Sequence, residues 1–393
     1  MKRVQLTREE ERIYNGDCGW ANQTCIRILV RLGELFGAEK LIPIDSAHVS
    51  GVSYKTLGDA PIEFLRTLAD AGARVKVRTT LNPQSLDSHY LGKKLQKNLR
   101  EPQLDILRQF ERMGLTRSLT CTPYYLHRPA RDSHHAWAES SAVVYANSVL
   151  GAWTNREGGP SALAAAIIGK TPDYGIHRTE NRRPNVTVKV ETKLRNETEL
   201  GALGIFLGKT LGDKIPTIVG LSNTSRDNLK QLCAAIATTG MTNMFRLDSG
   251  TRTRGTKKIG VDSNQIKQTI EELSTASTSQ PDLVFLGCPH CSLNEMKRIA
   301  HLVKGKRVKA GTEFWVCTSC HIRQKAAAYV KKIEKAGGHV LDGVCTVVSW
   351  TEKLGIKTIM TNSAKTAYYA PTLNKAEPLL APLEDCLKTA FQG

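Results

Sequence analysis

From Lys214 to its end the chain repeats one pattern: a short apolar run, a few small or polar residues, then a helix-forming stretch. KIPTIVGL leads to DNLKQLCAAIATTG, PDLVFLG to CPHCSLNEMKRIAHLV, and EFWV to CTSCHIRQKAAAYVKKIEKAGG. HVLDGVCTVV follows, and GIKTIM runs into TNSAKTAYYAP. Such alternation predicts an α/β fold with parallel sheets covered by helices. In open sheets of this kind, ligands bind beyond the carboxyl ends of the strands. Cys288, Cys345 and the TNSAK loop are therefore expected to gather along one edge.

The first half is less regular. Thr7 and Glu10 have the form of a capping box, and apolar residues recur at helical spacing from Cys18 to Phe36, where Gly37 stops them. LIPIDSAHVSGVSYKT predicts a short strand running into a polar, glycine-containing loop. A helix around 62–71, a strand over ARVKVRTT, a loop at TTLNPQ and a helix over 93–113 follow. Between Cys121 and Thr171 charges thin out and small residues dominate. Polar groups there collect in two knots. His134, Glu139, Ser140 and Ser141 form the first, and Thr154 to Gly159, just before an alanine-rich helix, the second. Glycines entering a helix can present backbone N–H groups to an anion, or simply make a turn. RGTKKIGVDSNQIKQTIEELSTASTSQ reads as a polar connector with one helix.

At 393 residues there is room for two or three domains. No apolar run reaches the length of a membrane span, and MKRVQLTREEERIY turns polar at once, so a cytosolic protein is expected. Its ten cysteines are then not a disulfide framework. Cys25, Cys233 and Cys386 fall in helical patterns and read as packing residues. The net charge of +18, from 55 basic and 37 acidic side chains, favours an anionic partner: nucleic acid, a phosphorylated metabolite or an acidic subunit. A solvated basic surface accounts for it equally well. No RNA-recognition or helix-turn-helix signature is present.

Three cysteines stand far apart, each where a strand is expected to hand over to something else: Cys121 in SLTCTPYY, Cys288 in VFLGCPHCS and Cys345 in VLDGVCTVV. Three thiolates on an iron–sulfur cluster leave one iron free of protein ligands, able to act as a Lewis acid. Two CxxC pairs, Cys288 with Cys291 and Cys317 with Cys320, invite a rival reading as a zinc ribbon in a nucleic-acid-binding protein. Each pair follows an apolar strand and opens a helix, whereas ribbons place such pairs on tight hairpin knuckles. A redox dithiol at Cys317 and Cys320 is a third reading.

The words SAHVSGVSYKTLGDA, TTLNPQ, TCTPYY, AWAESSAVVYANSVLGAWTNREGGPSALAAAI, GCPHCS and TNSAKTAYYAP resemble, in order, those of the aconitase X family. The resemblance runs from about Leu6 to Gly393. It implies an aconitase-like fold of several strand–helix domains around a central cluster cleft, lacking the swivelling domain of single-chain members. In it, residues 1–205 would carry the first cluster cysteine and the substrate loops, and 206–393 the other two cysteines. It further implies a [4Fe-4S] cluster held by Cys121, Cys288 and Cys345, with one iron not ligated by protein, and a hydro-lyase reaction. Gly51, Val52, Ser53, Asn82 and Pro83 fall at substrate-contacting positions. Glu139, Ser140 and Lys365 are expected both to contact substrate and to take part in catalysis. In the family the proton-abstracting serine sits on the swivelling domain, so a separate small subunit is expected to complete the site.

The length resembles the large subunits of two-component members. That implies dehydration of (R)-5-phosphomevalonate to trans-anhydromevalonate 5-phosphate on the way to isoprenoids, with dehydration of a hydroxyproline as the alternative. Trp153, Arg246 and the Gly343-Val344-Cys345 word depart from the family pattern, which usually has arginine, histidine and aspartate-threonine-cysteine there.

Overall fold

The structure, a computed structural model, describes residues 3–87, 89–248, 257–278 and 280–392. The N-terminal capping box forms as expected, with Thr7 Oγ1 accepting from the Glu10 N–H at 3.3 Å and the Glu10 carboxylate accepting from the Thr7 N–H at 2.8 Å. Helix α1 (Trp20–Phe36) ends on Gly37 in the left-handed region.

Three parallel sheets follow one another along the chain. In the first, β1 (Ser46–Val49) lies between β2 (Arg78–Leu81) and β3 (His135–Trp137). Period-two alternation sends Ala47, Val49, Leu81 and Ala136 into a core shared with α1 and α2 (Gly159–Ile168). The opposite face carries Ser46, His48, Thr80 and Trp137, so this sheet is polar on the side that leads to the site. Only the end of ARVKVRTT joins the ladder. The N–H groups of Val75 and Lys76 bond instead to the carbonyls of Met113 and Ala166, which ties that stretch to flanking elements.

The second sheet contains β4 (Val186–Val190), β5 (Pro216–Val219), β6 (Arg246–Leu247) and β7 (Lys257–Val261), ordered β6-β5-β4-β7. Here the connector expectation is corrected. Residues 254–256 and 279 of that segment lie outside the described residues, but Lys257–Val261 is an edge strand and Ser263–Glu272 a helix. Its polar composition suits an edge, where one side of the strand faces solvent.

The sheet is covered by α3 (Glu197–Leu211) and α4 (Arg226–Thr239), which pack closely because two glycines of α3, Gly204 and Gly208, face α4. A Cβ at Gly204 would stand 2.5 Å from Ala235 Cβ, and one at Gly208 would stand 2.2 Å from Thr239 Oγ1.

The third sheet has five strands: β8 (Leu283–Leu286), β9 (Glu313–Thr318), β10 (His339–Asp342), β11 (Thr358–Thr361) and β12 (Glu377–Leu380). Their order is β10-β9-β8-β11-β12. The chain thus winds one way from β8 and then returns to β8's other side at β11. A crevice opens at such a reversal, beyond the strand ends. Cys288 follows β8, and Lys365 follows β11 in the first turn of α5 (Ala364–Tyr369). Helix α5 in turn abuts α3, where a Cβ at Gly201 would stand 2.8 Å from Ala364 Cβ. Cys25, Cys233 and Cys386 are buried in cores, as their helical spacing implied. Among the described residues no helix is long and apolar enough to cross a membrane.

The close α3–α4 contact gives a first prediction. Adding one methyl group in Gly204→Ala should lower the unfolding free energy by about 1–3 kcal/mol through overpacking. Urea denaturation at unchanged slope measures it; an unshifted midpoint would show that the helices are not held this close.

Candidate active site

Backbone geometry brings the three dispersed cysteines to one place. Gln84, just past β2, pairs with the Cys345 segment: its N–H bonds Gly343 O at 2.9 Å, and Cys345 N–H returns to Gln84 O at 3.0 Å. The His290 N–H, two residues after Cys288, donates to Cys121 Sγ at 3.2 Å. His290 Nε2 donates to Val344 O at 2.8 Å, beside Cys345. Gly287 makes the tight exit from β8 possible. Its φ is +103°, and a Cβ there would stand 2.2 Å from Cys317 O.

The thiols are close enough to perturb one another. Burial, then Glu139, Cys288 and Cys345, hold Cys121 well above the usual thiol range. Burial and Cys288 push Cys345 up to about 12, against the pull of Lys365. All ten cysteines are free.

Across from them lies a buried ion pair. Lys365 Nζ donates to Glu139 Oε1 at 2.8 Å. Asn82 Nδ2 donates to Glu139 Oε2 at 3.0 Å, and Ser141 Oγ to Oε1 at 2.9 Å. Burial alone would raise this carboxyl; the ammonium and the two hydrogen bonds outweigh it and hold Glu139 at about 2. The chain of contacts continues behind Asn82. His48, whose pKa burial lowers to about 4, is neutral. It donates from Nε2 to Asn82 Oδ1 at 3.2 Å and accepts at Nδ1 from Thr80 Oγ1 at 2.7 Å. Asn82 is therefore locked from both ends.

The remaining candidates fall into two groups. Ser140, half-buried, opens the helix Ser140–Tyr145, and its hydroxyl has no hydrogen-bond partner among the described residues. Gly51 is left-handed at φ +80° in the loop after β1. Val52, Ser53 and Pro83 are buried. Ser53 Oγ donates to Val348 O at 3.1 Å and so braces the seam beside the Cys345 segment, while Val52 O accepts from Gln103 Nε2 at 2.8 Å within the first unit. His134 bonds His177 at 2.9 Å, and Arg156 bonds Gly240 O at 3.2 Å beyond the end of α4; neither contacts the cysteines. Trp153, one of the departures, stacks under Arg182 with the guanidinium 4.2 Å from its ring centre.

The CxxC pairs do not act as one set. Cys317 lies inside β9, completely buried, and Cys320 begins the next helix. Among the described residues no three His, Cys, Asp or Glu side chains are placed to hold a single metal ion. A cluster spreads its thiolates over separate irons and needs no such convergence.

Two further observations fit the cysteine site to a cationic inorganic group. Burial, reinforced by neighbouring thiols, raises the pKa of Cys121 and Cys345, a penalty on the thiolates that coordinated iron would remove. Two buried atoms beside them, His290 Nδ1 and Gln84 Oε1, lack a partner among the described residues. Sequence reasoning missed His290 and Gln84; the one available signal was a histidine between two cysteines in CPHC.

The depressed carboxyl gives a second prediction. A group with a folded pKa near 2 and an ordinary value of 4.5 stabilises the fold above about pH 4.5, and that contribution is lost as pH falls toward 2. At neutral pH it amounts to about 3 kcal/mol. Glu139→Gln should therefore be less stable than the parent at pH 7, with the gap narrowing below pH 4.5. A gap independent of pH would mean that Glu139 is not held ionised by Lys365.

The whole chain has relatives. Residues 3–180, 184–275 and 281–392 match the family models described as aconitase X first, second and third domain. The phosphomevalonate dehydratase large subunit of Methanocaldococcus jannaschii is 45% identical, over 98% of this chain and 100% of that one. That of Thermococcus kodakarensis is 42% identical, over 93% and 95%. A cis-3-hydroxy-L-proline dehydratase of Pseudomonas aeruginosa is 32% identical, over 99% of this chain and 70% of its own length. The crystal structure of Thermococcus kodakaraensis aconitase X in its holo-form superposes with a TM-score of 0.92 at 40% identity, covering 98% of this chain and all of that one. With its three sheets matched in order and its cysteine segments joined at one edge, the chain belongs to the aconitase X family.

Proposed function

We propose that this chain is the large catalytic subunit of a cytoplasmic hydro-lyase that converts (R)-5-phosphomevalonate to trans-anhydromevalonate 5-phosphate, working with a separate small subunit. One observation carries the reading: the Cys121, Cys288 and Cys345 segments meet opposite the Lys365–Glu139 pair, in a chain matching dehydratase large subunits from end to end. Hydroxyproline dehydration is the second reading, motivated by relatives at 31–32% identity. They are more distant, and this chain covers only 69–70% of their length.

Cys121, Cys288 and Cys345 would hold the iron–sulfur group. When bound, a [4Fe-4S] cluster with one iron free of protein ligands supplies a Lewis acid for a departing hydroxyl. The chain's own residues bind and orient. Lys365 spends one N–H on Glu139 and keeps two donors for a substrate carboxylate or phosphate oxygen. Asn82, fixed by His48, and Ser140, with a free hydroxyl, offer polar groups next to it. Gly51 and Pro83 shape the loops of the first sheet beside them.

Glu139 is a poor base at a pKa of about 2, since little driving force exists to move a carbon-bound proton onto it. Its role is to keep Lys365 charged and in place. Dehydration needs a proton removed from the carbon next to the hydroxyl-bearing one, so the base comes from outside this group. The small subunit is the proposed source.

Assays of the anaerobically reconstituted pair test this. Phosphomevalonate should lose water and hydroxyproline should not; the reverse would give the second reading. Lys365→Met should lower kcat/KM by about 10²- to 10³-fold, the scale for removing one preorganised charged donor. Cys121→Ala, Cys288→Ala and Cys345→Ala should each lose iron and acid-labile sulfide. Retention of both in all three variants would refute the ligand set.

A further inference from the structure

A buried lysine behind the cysteines has no part in the reaction proposed above. Lys230 lies on α4, in the second of the three sheet units, and is 1% exposed. Full burial of lysine is rare and requires a partner. Its ammonium contacts the Glu295 carboxylate and donates to the His290 carbonyl at 2.9 Å. It also stands 5.8 Å from the centre of the Tyr125 ring, four residues after Cys121. Asp227, one turn earlier on α4, accepts from Tyr125 Oη at 3.2 Å. One end of α4 therefore grips the segments of both Cys121 and Cys288. Glu295 is fixed in turn by the Ser292 N–H at 2.7 Å, at the start of the helix that follows Cys291.

His290 turns this grip into a link among all three cysteines. Its carbonyl accepts from Lys230, its N–H donates to Cys121 Sγ, and its Nε2 donates beside Cys345 to Val344 O. It also stands two residues from Cys288. Among the described residues nothing on the cysteine side holds the His290 carbonyl. If Lys230 lost its ammonium, the 288–291 loop would keep its cysteine contacts but lose its anchor to the second unit.

We infer that Lys230 is the positioning residue of the cysteine centre, fixing the His290 peptide so that Cys121, Cys288 and Cys345 keep the separation that retains iron. The inference rests on the ligand set proposed above. A packed apolar side chain would be cheaper to bury than an ion pair, and removing one partner of such a pair leaves a charge stranded. The charged arrangement is explained if its hydrogen bond to His290 sets a geometry that apolar packing does not specify.

The test compares iron release from the reconstituted two-subunit enzyme to a ferrous chelator, together with the visible and EPR spectra of the centre. Lys230→Met should release iron about tenfold faster, on the scale for losing an outer-shell partner of a metal site, and shift the spectrum. Leu207→Ala, a cavity in the second-unit core, should lower the melting temperature yet leave release and spectrum unchanged. Should Lys230→Met not fold, the double variant Lys230→Met with Glu295→Gln removes both charges and the donor to His290, and is read in the same way. Release within twofold of the parent, or equal acceleration in Leu207→Ala, would overturn the inference. Cys121→Ala run in parallel separates the two claims: if it keeps its iron, the ligand set has failed rather than the role of Lys230.

Discussion

The contact between Lys365 and Glu139 joins residues 226 positions apart in the sequence and lies almost entirely out of water. An ion pair so buried gives up most of the hydration of both groups, so it forms only when geometry and further hydrogen bonds compensate. Here they do. Glu139 accepts from Lys365, Asn82 and Ser141, and Asn82 is itself held by His48. The pair closes only once the first and third sheets are in register with one another. The same register produces the Gln84–Cys345 backbone bonds. Correct assembly of the domains and assembly of the site are thus one event.

The position of the site follows from strand order. Parallel strands deliver their following loops to a single edge, and the third sheet reverses its winding at β8 and β11. The loops after those two strands diverge, and the crevice between them receives Cys288 from one side and Lys365 from the other. The first sheet supplies the facing wall, because its polar face carries His48 and Thr80 and its following loop carries Asn82. Close packing of α3 against α5 through Gly201 keeps Lys365 in line with that wall.

Much of this was readable in the sequence where the physics is local. The strand–helix alternation after Lys214 announced parallel sheets. The edge strand Lys257–Val261 was hidden because a solvent-facing edge needs few apolar residues, and KKIGV lacks the run that marks a central strand. Cys317 resembled a loop ligand by its CxxC spacing, yet β9 extends two residues beyond EFWV and buries it. His290 and Lys230 were illegible for another reason. Their importance lies in contacts between units, and no periodicity within one segment records which carbonyl a distant ammonium will reach.

The two buried lysines divide the work between them. Lys230 faces the backbone side of the cysteine segments with its charge directed at Glu295 and a peptide carbonyl, and is buried away from any ligand. Lys365 is fully protonated through the influence of Glu139 and of the nearby Cys288 and Cys121, which outweigh the cost of burial, and it is the more exposed of the two. A positive charge so placed favours an anion beside the thiols, and the carboxylate that stabilises it is too acidic to take a proton from carbon. On the function proposed above, the chain would furnish attraction, orientation and a metal-binding frame, and the proton transfer that completes the dehydration would belong to a group carried by the small subunit.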